Sequence, residues 1–112
     1  MAQNKKHLFE KDLRLLAEYA KALSHPARLL ILKTLARRGE CICGEMVQIS
    51  PLAQPTVSQH LAALKKAGFI KGTIDGPRSC YCINREGFNR AGAQFNRMFA
   101  ELSKHKTMAK CC

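Results

Sequence analysis

Six cysteines fall in three pairs, Cys41/Cys43, Cys80/Cys82 and Cys111/Cys112, and the first two pairs are Cys-x-Cys. In a chain with the composition of a soluble intracellular domain, spaced thiol pairs point to metal binding or redox chemistry rather than to structural disulfides. The plain alternative for any single cysteine is a small buried hydrophobe. Residues i and i+2 diverge on a helix but share a face on a strand. Each Cys-x-Cys can therefore chelate only in extended backbone. In Cys41-Ile42-Cys43 the isoleucine is the natural core residue, which turns both thiols outward. In Cys80-Tyr81-Cys82-Ile83 the same alternation turns Tyr81 and Ile83 inward and Cys80 and Cys82 outward. Thiolates gathered on one face select soft, thiophilic ions. No catalytic constellation accompanies them. His7, His25, His60 and His105 are scattered, there is no Gly-rich phosphate loop, and the Cys-x-x-Cys expected of a thiol oxidoreductase is missing. The chain does not read as an enzyme.

Charge is the second chemical feature. The 112 residues carry 19 Lys+Arg against 8 Asp+Glu, a net charge of +11. Solubility of a small domain needs only about 2–8 units, so a polyanionic partner is favoured over a merely soluble surface. The excess sits in residues 1–39 and 71–112, while residues 40–70 are neutral by count. No block of five like charges occurs, so the charge belongs to folded faces rather than to a basic tail. No helix pairs a Trp/Phe face with a Lys/Arg face, and no apolar run is near membrane-spanning length, so nucleic acid is the expected polyanion and no membrane contact is expected. The segment MAQNKKHLFEKD lacks the apolar core of a signal peptide, and a cytoplasmic location is expected.

The elements that must position these residues follow from periodicity. Residues 8–24 read as a helix, with Phe9, Leu13, Leu16, Ala20 and Leu23 in one apolar row and Leu8, Leu15, Tyr19 and Ala22 in another. Ser24 and Pro26 mark a break and a new start; residues 27–38 form a short apolar helix that Gly39 ends. Residues 40–43 suit a small strand and 44–49 one or two helical turns. Pro55 opens a helix over 55–67, and Gly68 closes it. Residues 69–74 and 79–83 are strands of a hairpin turned at Asp75-Gly76-Pro77-Arg78. A last helix over 86–105 carries the stripe Phe88, Ala91, Phe95, Met98 and Leu102.

That order is a winged helix-turn-helix, an α+β class that is mostly helical. One domain of this size, residues 8–105, has little use for apolar stripes on both its first and last helices. We read them as a homodimer interface, the alternative being that they pack on each other within one chain. Residues 106–112 are expected to form a flexible C-terminal tail. On the helix over 55–67, Val57, Leu61 and Leu64 share the core face, Gln59, Ala62 and Ala63 point away, and Thr56, Ser58 and His60 flank them. Amide, hydroxyl and small side chains on an exposed helix face suit the major groove of duplex DNA, where Gln pairs with adenine and Ala leaves room for a thymine methyl. Lys65 and Lys66 could reach phosphates, and Lys71 and Arg78 make the hairpin a basic wing.

The stretches LSHPARLLILKTL (23–35) and QPTVSQHLAALKKAGFIKGTIDGPRSCYCIN (54–84) resemble the ArsR/SmtB family of dimeric winged helix-turn-helix metalloregulators. The resemblance runs from about residue 11 to 105. It implies a repressor that binds operator DNA as a homodimer and leaves it when a metal or metalloid binds, or when thiols react. It places the recognition helix at 55–67 and the wing at 69–83, and with them the DNA-contacting residues Gln54, Thr56, Ser58, Gln59, His60, Lys65, Lys71 and Arg78. Two departures stand out. Gln54 is a poor helix N-cap. Matching Gly44-Glu45-Met46 to the family's usual Gly-Glu-Leu shifts the cysteines one residue from the Cys-x-Cys-Asp-Leu of arsenic- and cadmium-responsive members, so their three-sulfur site is not copied intact. The last helix offers only His105, Glu86 and Glu101, which argues against the family's zinc site.

The resulting expectation is an operator-binding repressor with no permanent cofactor, induced by arsenite or another thiophilic ion held by Cys41, Cys43, Cys80 and Cys82. Cys111 or Cys112 is the alternative third ligand. In winged-helix domains the strand after the second helix commonly pairs with the last hairpin strand, which would bring the four thiols to neighbouring strands about 4.8 Å apart. A second reading makes the thiols a sensor of redox state or reactive sulfur. A third, remote one is a thiol oxidoreductase or metal chaperone.

Overall fold

The computed structural model describes residues 8–39, 41–43, 54–73 and 79–105. The expected helical turns over 44–49, the hairpin turn at 75–78 and the tail over 106–112 lie outside the described residues.

Helix α1 (Lys11–Ala22) is shorter than its apolar periodicity suggests. The Ser24 hydroxyl donates to the Lys21 carbonyl at 2.7 Å, and His25 is extended at φ −145°, ψ 133°. The residue before a proline is pushed out of the helical region, which sets this break. Helix α2 (Pro26–Arg38) then begins with Pro26 at its first position, where the missing N–H costs nothing. Gly39, at φ 68°, ends it, donating its N–H to the Leu35 carbonyl at 3.1 Å. The left-handed region that this stop requires is open to glycine at no steric cost.

Strand β1 (Ile42–Cys43), helix α3 (Gln54–Ala67), strands β2 (Ile70–Thr73) and β3 (Cys80–Ile83) and helix α4 (Arg85–Lys104) complete the chain order. Asn84 caps α4, its side chain accepting from the Gly87 N–H at 3.3 Å. The three strands form one antiparallel sheet in the order β1-β3-β2. The pairing of the short strand with the last hairpin strand is thus as expected. The register sets Ile42 opposite Tyr81 and Cys43 opposite Cys80 on one side of β3, and Lys71 opposite Cys82 and Thr73 opposite Cys80 on the other.

The core joins all the elements. Ile31, Leu32 and Leu35 of α2 meet Val57, Leu61 and Leu64 of α3, with Ile42, Ile70 and Tyr81 supplied by the inner face of the sheet. Truncating one of these buried aliphatics to alanine typically costs about 2–5 kcal/mol, a large share of a small domain's stability. Phe69 sits edge-on to both Tyr19 of α1 and Phe88 of α4, at 5.7 and 5.6 Å between ring centroids. The outer helices are therefore locked to the wing root.

The apolar rows of α1 and α4 divide between two duties. Tyr19 and Ala22 are core, and Leu15, Leu23 and Phe95 pack against it. Leu8, Phe9, Leu13, Phe99 and Leu102 stay exposed although α1 and α4 touch within the chain.

Candidate nucleic-acid interface and thiol site

Helix α3 is fixed by its core face, and what remains outside is what it can offer to a partner. Gln59, Ala62, Lys65 and Lys66 are exposed; Thr56, Ser58 and Ala63 are half-buried. The order amide, small side chain, then lysine runs from the N-terminal half of the helix to its end. Those types fit base edges first and phosphates last. Gln54 lies in the first turn of α3, and Arg78 lies outside the described residues. Lys71 is exposed on β2. Gly72, at φ 127°, follows it opposite Tyr81, and a Cβ there would run into the backbone of Cys80 and Tyr81. Glycine lets the two wing strands approach this closely.

His60 departs from the expected arrangement. Its residue type suits the flank that meets DNA, but it is 7% exposed. Its Nδ1 accepts from the Arg28 Nε–H at 3.0 Å, and its ring lies 4.3 Å from that of His25. Arg28 also donates to the carbonyls of Lys21 and Ala22, at 3.3 and 3.2 Å. His25 in turn caps α2, its Nδ1 accepting from the Ala27 N–H at 3.0 Å. The physical reason is spacing: 57, 60, 61 and 64 form one helical row, so His60 belongs with the core face. Burial lowers the His60 pKa from its ordinary value, and His25 and Arg28 push it further down.

The thiols lie on the opposite face of the sheet from Ile42 and Tyr81. Residues directly opposite across an antiparallel pair share a face. Thr73, Cys80 and Cys43 therefore form one row across the sheet, and Lys71 and Cys82 the next. Continuing the β1–β3 register by one residue sets Cys41 opposite Cys82. The expected outward facing of all four thiols is what the register gives. Their state differs from expectation: Cys43 and Cys80 are joined as a disulfide, their Cα atoms 4.0 Å apart, while Cys41 and Cys82 stay outside it. Among the described residues no group of three or more His, Cys, Asp or Glu side chains is arranged to hold a metal ion. In this disulfide form two of the four expected thiolates, Cys43 and Cys80, are bonded to each other. Cys111 and Cys112 lie outside the described residues. Between the thiols, Tyr81 is 1% exposed; its hydroxyl finds no hydrogen-bond partner among the described residues, and burial pushes its pKa up to about 12.

A helix packed on its predecessor, presenting an amide and lysines beside a lysine-bearing two-stranded wing, defines a winged helix-turn-helix DNA-binding protein. The comparisons with known proteins agree. Residues 25–71, from the start of α2 into β2, match the bacterial regulatory protein arsR family. An uncharacterised HTH-type transcriptional regulator of Methanocaldococcus jannaschii is 44% identical over 68 residues, 60% of this chain and 75% of its own. The HTH-type transcriptional regulator YgaV of Escherichia coli is 36% identical over 74% of this chain and 84% of its own. A probable mercury resistance operon repressor of Streptomyces lividans is 34% identical over 60% of this chain and 53% of its own. Among solved structures, a homodimeric winged helix-turn-helix DNA-binding domain from Mycobacterium bovis superposes with a TM-score of 0.56. It is 30% identical, over 96% of this chain and 99% of that one. The protein belongs to the arsR family of bacterial regulatory proteins, and it is a DNA-binding transcriptional regulator, not an enzyme. No described helix is long and apolar enough to cross a membrane.

Proposed function

We propose that this chain is a homodimeric repressor that holds operator DNA with α3 and its wing and lets go when the thiols of β1 and β3 react. The observation that carries the reading is the shared outer face of the sheet: Cys43 and Cys80 in one row, Cys82 beside Lys71 in the next. Chemistry at those sulfurs acts on the strand that positions the wing lysine. Gln59, Thr56, Ser58 and Gln54 read or flank base edges, while Lys65, Lys71 and Arg78 hold phosphates. The exposed apolar residues of α1 and α4 support the dimer, as does the homodimeric M. bovis domain.

Two inducer chemistries fit the site. In the reduced protein, arsenite or another thiophilic ion would exchange its oxygen ligands for thiolates of Cys41, Cys43, Cys80 and Cys82, releasing water. The similarity to a mercury resistance operon repressor supports an ion of this softness. The second chemistry is oxidation, and the Cys43–Cys80 disulfide favours it. There the two thiols give two electrons and two protons to an oxidant such as peroxide, which leaves as two waters. The test starts from selection of a binding site out of random duplexes by the reduced protein. The selected duplex is then followed by fluorescence anisotropy while arsenite, mercuric ion or peroxide is added. Release by a thiophilic ion under reducing conditions supports the metalloregulator, and release by peroxide alone supports the redox sensor. No release by any of them contradicts thiol control.

A further inference from the structure

The cluster formed by His25, Arg28 and His60 is absorbed neither by DNA reading nor by thiol chemistry. Its geometry is specific. The guanidinium of Arg28 bridges three elements: it donates from Nη1 to the C-terminal carbonyls of α1 and from Nε to His60 of α3, and it grows from the first turn of α2. A guanidinium has no acceptor and does not deprotonate, so the Nδ1 of His60 must be the bare nitrogen of a neutral ring. The other nitrogen, Nε2, then carries the proton, and it is buried with no partner among the described residues. A second proton on His60 would replace an accepted hydrogen bond by two cationic N–H groups facing each other at 3.0 Å.

We propose that His60 and Arg28 are positioning residues for the DNA-reading helix, and that a proton taken up by His60 breaks their hydrogen bond and loosens the operator complex. Among the described residues, the charged groups that shift His60 both oppose that proton. His25 and Arg28 face it from α2 and the residue before it, and both lower its pKa after burial itself. From α1, Glu18 and Lys21 line a groove of about 400 Å³ together with Arg28. From β2, Lys71 is exposed. On α3 itself, the neighbours one turn away are Thr56 and Leu64.

The sign distinguishes this device from ordinary electrostatics. A basic protein normally binds DNA more tightly as pH falls, because added protons raise its positive charge. The observed arrangement holds His60 neutral with its pKa below the ordinary 6.5, and the proposal takes it as the arrangement that the operator complex keeps. If release returns the ring toward that ordinary value, linkage weakens the complex as pH falls below about 6.5, by up to about tenfold per subunit at pH 5.5.

The inference rests on α3 being the operator-reading helix, and failure of that reading would show separately, as no duplex binding at pH 7.5. The test is anisotropy with the selected duplex at fixed ionic strength from pH 7.5 to 5.5, with circular dichroism confirming that the protein stays folded at each point. Wild type is expected to lose affinity as pH falls. His60→Asn keeps an acceptor for Arg28 without a titrating ring, so it should bind and show no loss. His60→Leu removes the acceptor and should bind weakly already at pH 7.5. His25→Asn keeps the helix cap and should retain the wild-type trend. Should His60→Asn not fold, the ring-proton resonance of His60 in wild type decides: its titration midpoint must be lower in the DNA complex than in free protein. Affinity that is flat or rises toward pH 5.5, an equal loss in His60→Asn, or equal midpoints in the two states would overturn the proposal.

Discussion

Gln59 is the exposed side chain of α3 best suited to a base edge, because an amide can pair with adenine through two hydrogen bonds. Gln59→Ala is expected to cost about 1–3 kcal/mol on the preferred duplex and to relax preference at one base pair, measured by competition among single-base variants. Lys71→Ala is expected to act differently: all sequences weaken alike, and the slope of log affinity against log salt falls by about one unit for each lysine–phosphate pair removed. Tyr81 tests the interior. Its hydroxyl is buried without a partner among the described residues, so Tyr81→Phe removes a polar group unpaired there and keeps the ring. The urea midpoint is expected to hold or rise, against a loss of about 1–3 kcal/mol had that group been paired. The raised tyrosine pKa has a sign as well. The buried group favours its neutral form, so its contribution is intact below pH 10 and fades as pH climbs toward about 12. Wild type should lose stability in that alkaline window, and Tyr81→Phe should lose less.

At the scale of elements, α1 and α4 carry both core and unpartnered apolar residues. A charged residue at Phe95 would confound folding with assembly, because Phe95 packs against the core. Leu13 and Leu102 are 43% and 60% exposed and separate the two. Leu13→Glu with Leu102→Glu is expected to give a folded monomer by light scattering and circular dichroism, with operator affinity lost because half-sites are no longer linked. A folded dimer would place the interface elsewhere. The elements themselves were largely legible in the sequence. Period-2 alternation in Cys80-Tyr81-Cys82-Ile83 put tyrosine inside and thiols outside, and Pro26, Gly39 and Pro55 marked helix ends through fixed φ or left-handed backbone. Two features escaped. His60 read as a flanking DNA contact because its residue type outweighed its position, although its spacing from Val57 and Leu64 already set it on the buried row. The bond between Cys43 and Cys80 depends on thiol oxidation, which no residue pattern encodes.

For the whole molecule, the proposed coupling runs from sulfur chemistry on the outer sheet face to DNA release. The core of α2, α3 and the inner sheet face makes the reading helix and the wing one packed unit. β3 is paired with β1 on one side and with the Lys71-bearing β2 on the other, which is the path by which the proposed sulfur chemistry would reach Lys71. A ligand need favour the DNA-free arrangement by only a few kcal/mol to empty the operator. The most direct measurement is arsenite-driven release of the reduced protein from its selected duplex, compared among wild type and three paired Cys→Ser proteins. All four are expected to bind the duplex, the Cys41/Cys43 and Cys80/Cys82 proteins to resist release, and the Cys111/Cys112 protein to respond like wild type. Normal release from the Cys80/Cys82 protein together with a silent Cys111/Cys112 protein would contradict it and move the site to the C-terminus.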